Sequence, residues 1–162
     1  MSSPRANDLV HHRGMPDAFA EHLAEAVRSL GYFELSAIPA LVDLYRQRWE
    51  GGTSSSILRR EEIAPLLSAK GASDPRHAQM ATYSRAIFNL WREEDDARER
   101  VWLRMGEEVR FTARAKWLCE EARSQDGTVR PIKERWSIPL SGCGQEWCPC
   151  RWHLVYERRS KG

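Results

Sequence analysis

The side chains with the most distinctive chemistry lie near the end of the chain. Cys143, Cys148 and Cys150 fall within eight positions, and His153 follows three residues after the last of them. The fourth cysteine, Cys119, lies upstream. Because thiolates and imidazoles are the ligands of tetrahedral zinc, all five residues are candidate metal ligands. His153 could replace one cysteine, since a Cys-X-Cys pair cannot always place both sulfur atoms on one ion.

The spacing of these residues leaves three states open. Ala122 stands where a second cysteine would complete a Cys-X-X-Cys pair with Cys119, so the pattern is not a standard paired zinc motif. A metal site with zinc as the only cofactor, reduced thiols packed as small hydrophobic side chains, and a disulfide all fit the residues. In each bonded state we expect Cys119 close to Cys148 or Cys150, because a small β module gains stability from a staple.

The sequence does not predict an enzyme. It contains no Ser-His-Asp pattern in a recognisable context and no glycine-rich phosphate loop. Cys150 and His153 could form a nucleophile–base pair, but an isolated Cys-X-X-His more often reflects metal ligation or packing. We therefore expect no catalytic residues, and no cofactor-binding residues besides the candidate metal ligands.

Composition bounds the class of protein. The 162 residues suit one domain, or one domain with a small appendage, and 41% of them are hydrophobic. The formal net charge of +2 does not favour a protein that binds nucleic acid mainly through its phosphate groups, although nucleic-acid binding stays an alternative. Residues 1–18 lack a secretory signal pattern, and no apolar run approaches membrane-spanning length. We expect a protein of the cytoplasm, or one assembled there, without membrane contact.

Hydrophobic periodicity predicts an α+β protein whose helices precede its strands. We expect a flexible arm over residues 1–14, a helical region over 15–105 and a small cysteine-bearing β module over 106–162. Helices are predicted from Pro16, after Ser36, over about 58–69, and from Asp74-Pro75 to about Met105. Trp49, Trp91 and Trp102 lie on apolar helix faces and are predicted to be mostly buried.

After Gly106 the period changes to alternation. Alternating apolar residues from Val109 to Trp117 predict a strand, and Asp126-Gly127 predicts a turn. Residues 128–132 would form the returning strand, and residues 151–158 a final strand.

The stretch from Trp102 to Tyr156 resembles the C-terminal module of phage Mu F-like minor head (head morphogenesis) proteins. The matching pieces occur in the same order over about a third of the chain: Gly106, the strand through Trp117, Cys119, the turn and segment from Asp126 to Ile132, Pro139-Leu140, and Cys148-Pro149-Cys150-Arg151-Trp152. Ala122 replaces the family's usual second cysteine, and Cys143-Gly144 stands near its usual His-Pro pair. Cys143 could therefore supply the missing thiol.

The resemblance implies a virion structural protein of the head or head–tail region, at the portal or neck, that acts in particle assembly. Its partners would be other virion proteins (portal, capsid or neck components), it would form homo-oligomers, and it would assemble in the host cytoplasm. The alternative from the residues themselves is a small zinc-binding module that binds nucleic acid or regulates another protein.

Overall fold

The change of period at Gly106 coincides with the change of secondary structure. In the computed structural model, which describes residues 14–51, 57–106, 108–113 and 119–155, helices lead up to Met105 and a three-stranded antiparallel sheet follows. The predicted α+β class is confirmed. The chain divides into two compact units, Met1–Ile87 and Phe88–Gly162, here called the N-terminal unit and the C-terminal unit. This division falls earlier in the chain than the predicted start of the β module.

The first two helices follow their predicted apolar faces. Helix α1 (Asp17–Leu30) ends at Gly31, whose backbone adopts the left-handed conformation at φ 69° and whose N–H donates to Val27 O at 3.0 Å. Helix α2 (Ile38–Glu50) follows a 3-10 turn (Leu35–Ala37), so Ser36 lies in this turn. The buried residues of the two helices recur at helical spacing: Phe19, Leu23, Ala26, Val27, Leu30, Leu41 and Tyr45.

The predicted single helix over residues 58–69 is wrong. The chain forms α3 (Arg60–Ile63), a 3-10 turn (Ala64–Leu66) and then α4 (Ala69–Ala72). Pro65 explains the interruption, because it lacks the N–H that a continuing α-helix needs.

The long fourth helix is right in extent but has one break. Helix α5 (Pro75–Ala97) begins as predicted, since the His77 N–H donates to the Asp74 side chain at 3.0 Å. A turn at Arg98 separates it from α6 (Glu99–Met105). None of the helices in the described ranges is long and apolar enough to cross a membrane.

The sheet of the C-terminal unit has β1 (Glu108–Thr112) at its centre. Strand β2 (Val129–Pro131) pairs with one edge of β1 and strand β3 (Arg151–Leu154) with the other, both antiparallel. The three predicted strands are therefore present. The predicted extensions to Trp117 and Arg158 reach residues outside the described ranges.

One element was not predicted: α7 (Glu120–Gln125), which lies between β1 and β2. The Asp126-Gly127 turn follows this helix, with Gly127 at φ 80°. It therefore does not close a simple two-strand hairpin. The Asp126 side chain accepts the Ala113 N–H at 2.9 Å, which ties the turn back to the end of β1.

Aromatic rings form much of the core of the C-terminal unit. Phe111, which is fully buried, packs on Trp136 and Trp152 with ring centroids 5.5 and 5.3 Å away. The other buried members of this core are Val109, Ala113, Ala122, Ile132, Leu140, Cys148 and Cys150. The tryptophans predicted to be mostly buried, at positions 49, 91 and 102, are half-buried. Each contacts other apolar groups on one side, as Trp49 contacts Phe19 in the N-terminal unit.

Candidate metal centre

Three separate segments of the C-terminal unit carry the four cysteines. Cys119 is the N-cap of α7, and its sulfur accepts the Ala122 N–H at 3.4 Å. Cys143 ends a turn in which its N–H donates to Leu140 O at 2.9 Å. Cys148 and Cys150 stand directly before β3. The antiparallel pairing of β3 with β1 brings this last segment back to the core that α7 also covers.

The four thiols interact with one another. The thiols of Cys150 and Cys143 lower the pKa of Cys148, and burial, together with the thiols of Cys148 and Cys119, raises that of Cys143. Cys119 lies within electrostatic range of Cys150 as well. The structure thus places the four cysteines that the sequence singles out in one neighbourhood of the C-terminal unit.

Backbone groups also bear on the cysteine sulfurs. The Ala122 N–H donates to the Cys119 sulfur at 3.4 Å, and the backbone of Cys150 helps to lower the pKa of Cys148. Hydrogen bonds to a sulfur favour its anionic form over the neutral thiol, and the thiolate is the form in which cysteine binds metal.

A positive charge also faces the cluster. The Arg92 guanidinium, on the last turns of α5, donates to Cys148 O and to Asn89 Oδ1. Its charge acts on Cys148, Cys150 and Cys143. Arg151, the residue after Cys150, is instead held by Asp95 through two hydrogen bonds of 2.8 and 2.9 Å.

These neighbours shift the thiol pKa values in opposite directions. The hydrogen bond from Cys150, with help from its backbone N–H and from Arg92, lowers the pKa of Cys148 to about 6 despite burial. Burial raises the pKa of Cys143 to about 11. Its hydrogen bond to Cys148, together with burial, raises the pKa of Cys150. Among these three thiols, the neighbours therefore favour the thiolate form only at Cys148.

The cluster has the donor set of a zinc site but not the geometry of a preformed one. All four cysteines are free thiols, with Cys148 and Cys150 buried and the other two half-buried. Within the described ranges, no three His, Cys, Asp or Glu side chains already stand at the spacing of ligands around one ion. Binding zinc would require the sulfur atoms to draw together and the remaining thiol protons to leave.

His153 stands apart from the thiols. It lies in β3 opposite Arg110, with its side chain exposed, whereas its neighbour Trp152 is buried in the core with Cys148 and Cys150. Successive side chains of a strand point to opposite faces, so the sheet directs His153 away from the cluster. The four sulfurs, without the imidazole, are the better candidate ligand set.

The sequence did not indicate the part played by α5 in this region. Asp95 belongs to an acidic run of the helix, residues 93–96, yet it is buried, and Arg92, just before this run, donates to the Cys148 carbonyl. Both also line a cleft of about 410 Å³ in the C-terminal unit. Charged groups of this cleft pair with one another, as Arg135 does with Asp96 at 3.2 Å.

Four cysteine sulfurs are the ligand set of one class of structural zinc site, which leaves no coordination position for a substrate. Iron–sulfur clusters also use four thiolates. Comparisons of the chain with known protein families, with curated proteins and with solved structures give no match.

Proposed function

We propose that this protein is a structural component of a bacteriophage head or head–tail region that acts in particle assembly, and that its C-terminal unit is held together by a zinc ion on Cys119, Cys143, Cys148 and Cys150. The observation that supports the proposal best is the meeting of these four thiols from three segments of one small unit. The protein is not an enzyme in this proposal.

Four sulfur ligands favour a structural ion over a catalytic one. Catalytic zinc keeps a position open for water or substrate, whereas a zinc ion held by four cysteines has no open position. The ion would join the start of α7, the turn before Cys143 and the start of β3. A unit of this size buries a limited core, so a metal staple contributes a large share of its stability.

The assembly role is supported by the resemblance of residues 102–156 to the phage Mu F-like module. In both, a glycine and a strand precede a cysteine, a glycine-containing turn follows, and a Cys-X-Cys leads into the last strand. Exposed apolar side chains on α6, such as Val101 and Met105, offer surface for contact with other copies or with virion proteins. Portal, capsid or neck components are the proposed partners.

The metal component of the proposal is tested by elemental analysis. The full chain, purified without added chelator, should contain one zinc ion per chain. A variant in which Cys148 and Cys150 are both replaced by serine should contain none. A wild-type protein that stays metal-free after incubation with zinc under reducing conditions would rule out the zinc site.

The assembly component is tested by particle association. In cells producing the phage whose genome encodes this chain, the protein should co-sediment with purified heads or virions in fixed stoichiometry. Recovery only as a free monomer would contradict a structural role. Salt-sensitive binding to nucleic acid, in the absence of particle association, would instead favour the alternative of a zinc-binding nucleic-acid module.

A further inference from the structure

We infer that Arg92 is a positioning residue of the four-cysteine site: its guanidinium holds the Cys148 carbonyl and supplies the positive charge that a centre of four thiolates requires. This inference rests on the zinc site proposed above and adds to it a residue from a different element of the C-terminal unit. Nothing in the sequence pattern around Arg92 indicates this role.

The contacts of Arg92 define its position. One terminal nitrogen donates to Cys148 O and the other to Asn89 Oδ1, three residues earlier on the same helix. Asn89 thereby orients the guanidinium from α5, while the carbonyl anchors the Cys148–Cys150 segment to it. The side chain is half-buried, so its charge is partly shielded from bulk water.

The charge of Arg92 remains available to the sulfur atoms. Both of its hydrogen-bond acceptors are neutral groups, and the nearby carboxylate of Asp95 is already held by two hydrogen bonds from Arg151. The guanidinium acts electrostatically on the sulfur atoms of Cys148, Cys150 and Cys143. A structural ion pair would have placed a carboxylate against Arg92, whereas here the bonded groups are the Cys148 carbonyl and the Asn89 amide oxygen.

Charge balance explains why such a residue is needed. A doubly positive zinc ion with four thiolates carries a net charge of −2, and burying that charge without compensation is unfavourable. The Ala122 N–H on Cys119 supplies partial positive charge, and Arg92, bonded to the Cys148 carbonyl, supplies a full one. Groups outside the ligand set that act in this way typically change metal affinity by about 10–100-fold when removed.

The test compares two replacements of Arg92 in the full chain. Arg92→Gln keeps an N–H donor for the carbonyl but removes the charge, whereas Arg92→Lys keeps the charge. Zinc affinity is measured by competition with a chromophoric chelator, and the Co²⁺ form is followed by its thiolate-to-metal charge-transfer absorption. We expect Arg92→Gln to bind zinc about 10–100-fold more weakly and Arg92→Lys to stay within about threefold of the parent protein.

Arg135→Gln is the matched control. Arg135 is another half-buried arginine of the C-terminal unit, but it donates to Glu99, Asp96 and Ile132 O. Its replacement should lower the stability of the metal-free unit and leave zinc affinity unchanged. If Arg135→Gln weakened zinc binding as much as Arg92→Gln, the effect of Arg92 would be one of general stability, and the inference would be overturned.

The other outcomes are equally decisive. Parent-like zinc affinity in Arg92→Gln would overturn the inference, and equal loss in the Gln and Lys variants would overturn the role of charge. If Arg92→Gln does not fold, Arg92→Lys alone decides. Because lysine keeps the positive charge, a zinc affinity tenfold or more below that of the parent protein would contradict the inference. Absence of zinc and cobalt binding in the parent protein would instead refute the proposed site itself, which separates the two failures.

Discussion

Replacement of Cys119 by serine separates the two roles of this residue, as a proposed metal ligand and as a helix cap. Its sulfur is a proposed zinc ligand and also the N-cap of α7, where it accepts the Ala122 N–H at 3.4 Å. Serine is among the best N-cap residues, so its hydroxyl should keep the helix cap. It is a poor zinc ligand, so the link from α7 to the other cysteines should be lost.

The expected loss follows from the length of the loop that the ion closes. From Cys119 to Cys143 the loop contains about 25 residues, for which the chain-entropy model of cross-links gives about 3.5 kcal/mol. For a unit of this size, each kcal/mol corresponds to roughly 4–8 °C in Tm, so the zinc-bound variant should melt roughly 14–28 °C below the zinc-bound parent.

Thermal unfolding in zinc and in excess chelator measures this difference. The parent and Cys119→Ser should melt alike in chelator, within about 0.5 kcal/mol, because the cap is retained. Only the parent should gain stability in zinc. Cys119→Ala is the control for the cap, and it should lose about 1 kcal/mol even without metal.

Two results would refute this reasoning. If zinc stabilised Cys119→Ser as much as the parent, Cys119 would not be a ligand and the long loop would not be closed by metal. If Cys119→Ser were several kcal/mol less stable than the parent in chelator, the thiol would matter for packing in the reduced protein. The four sulfurs would then form a hydrophobic cluster and not a metal site.

Three further predictions concern single side chains. In the N-terminal unit, the Arg59 N–H and nearby guanidinium groups hold the pKa of Glu62 at about 2, below its usual 4.5, so the stability that Glu62 contributes is present above pH 4.5 and is lost as the pH falls through 2. Glu62→Gln should cost about 0.5–2 kcal/mol of stability at pH 7 and should remove this pH dependence from urea unfolding. An unchanged acid dependence would contradict the prediction. Gly71→Ala should destabilise the same unit by about 3 kcal/mol or more, because the added carbon would lie 1.9 Å from Tyr32 O. Unfolding followed by circular dichroism measures this loss, and parent-like stability would show that α4 can shift freely. Phe111→Ala should lower the free energy of unfolding of the C-terminal unit by about 3–5 kcal/mol, measured by calorimetry, since the ring is fully buried between two tryptophans. A loss below about 1 kcal/mol would mean that this core is loosely packed.

Local signals in the sequence predicted most of the secondary structure. The spacing of Phe19, Leu23 and Val27 gave the buried face of α1, and Asp74 marked the start of α5 through its side-chain cap. The alternation at Val109 and Phe111 correctly indicated a strand with two buried positions. Each of these signals acts within one element, where periodicity and capping determine the outcome.

The errors came from features that periodicity does not capture. Pro65 interrupts an otherwise helical apolar pattern, and α7 is only six residues long, too short to show a period. The position of Arg92 depends on how α5 packs within the C-terminal unit, which no local pattern specifies. The cysteines were identified from their spacing, but their meeting depends on the pairing of β3 with β1.

The central place of β1 has a consequence for synthesis on the ribosome. Phe111 pairs across the sheet with Trp152, which is translated about 40 residues later, and Cys148 and Cys150 arrive just before that strand. Until then β1 has only the short β2 beside it, and a two-stranded ribbon is marginally stable. The N-terminal unit can fold before the last strand of the C-terminal unit has been synthesised. Synthesis that stops before Arg151 would therefore leave a chain with a folded helical unit and with Phe111 exposed on β1, a substrate for chaperones and proteases.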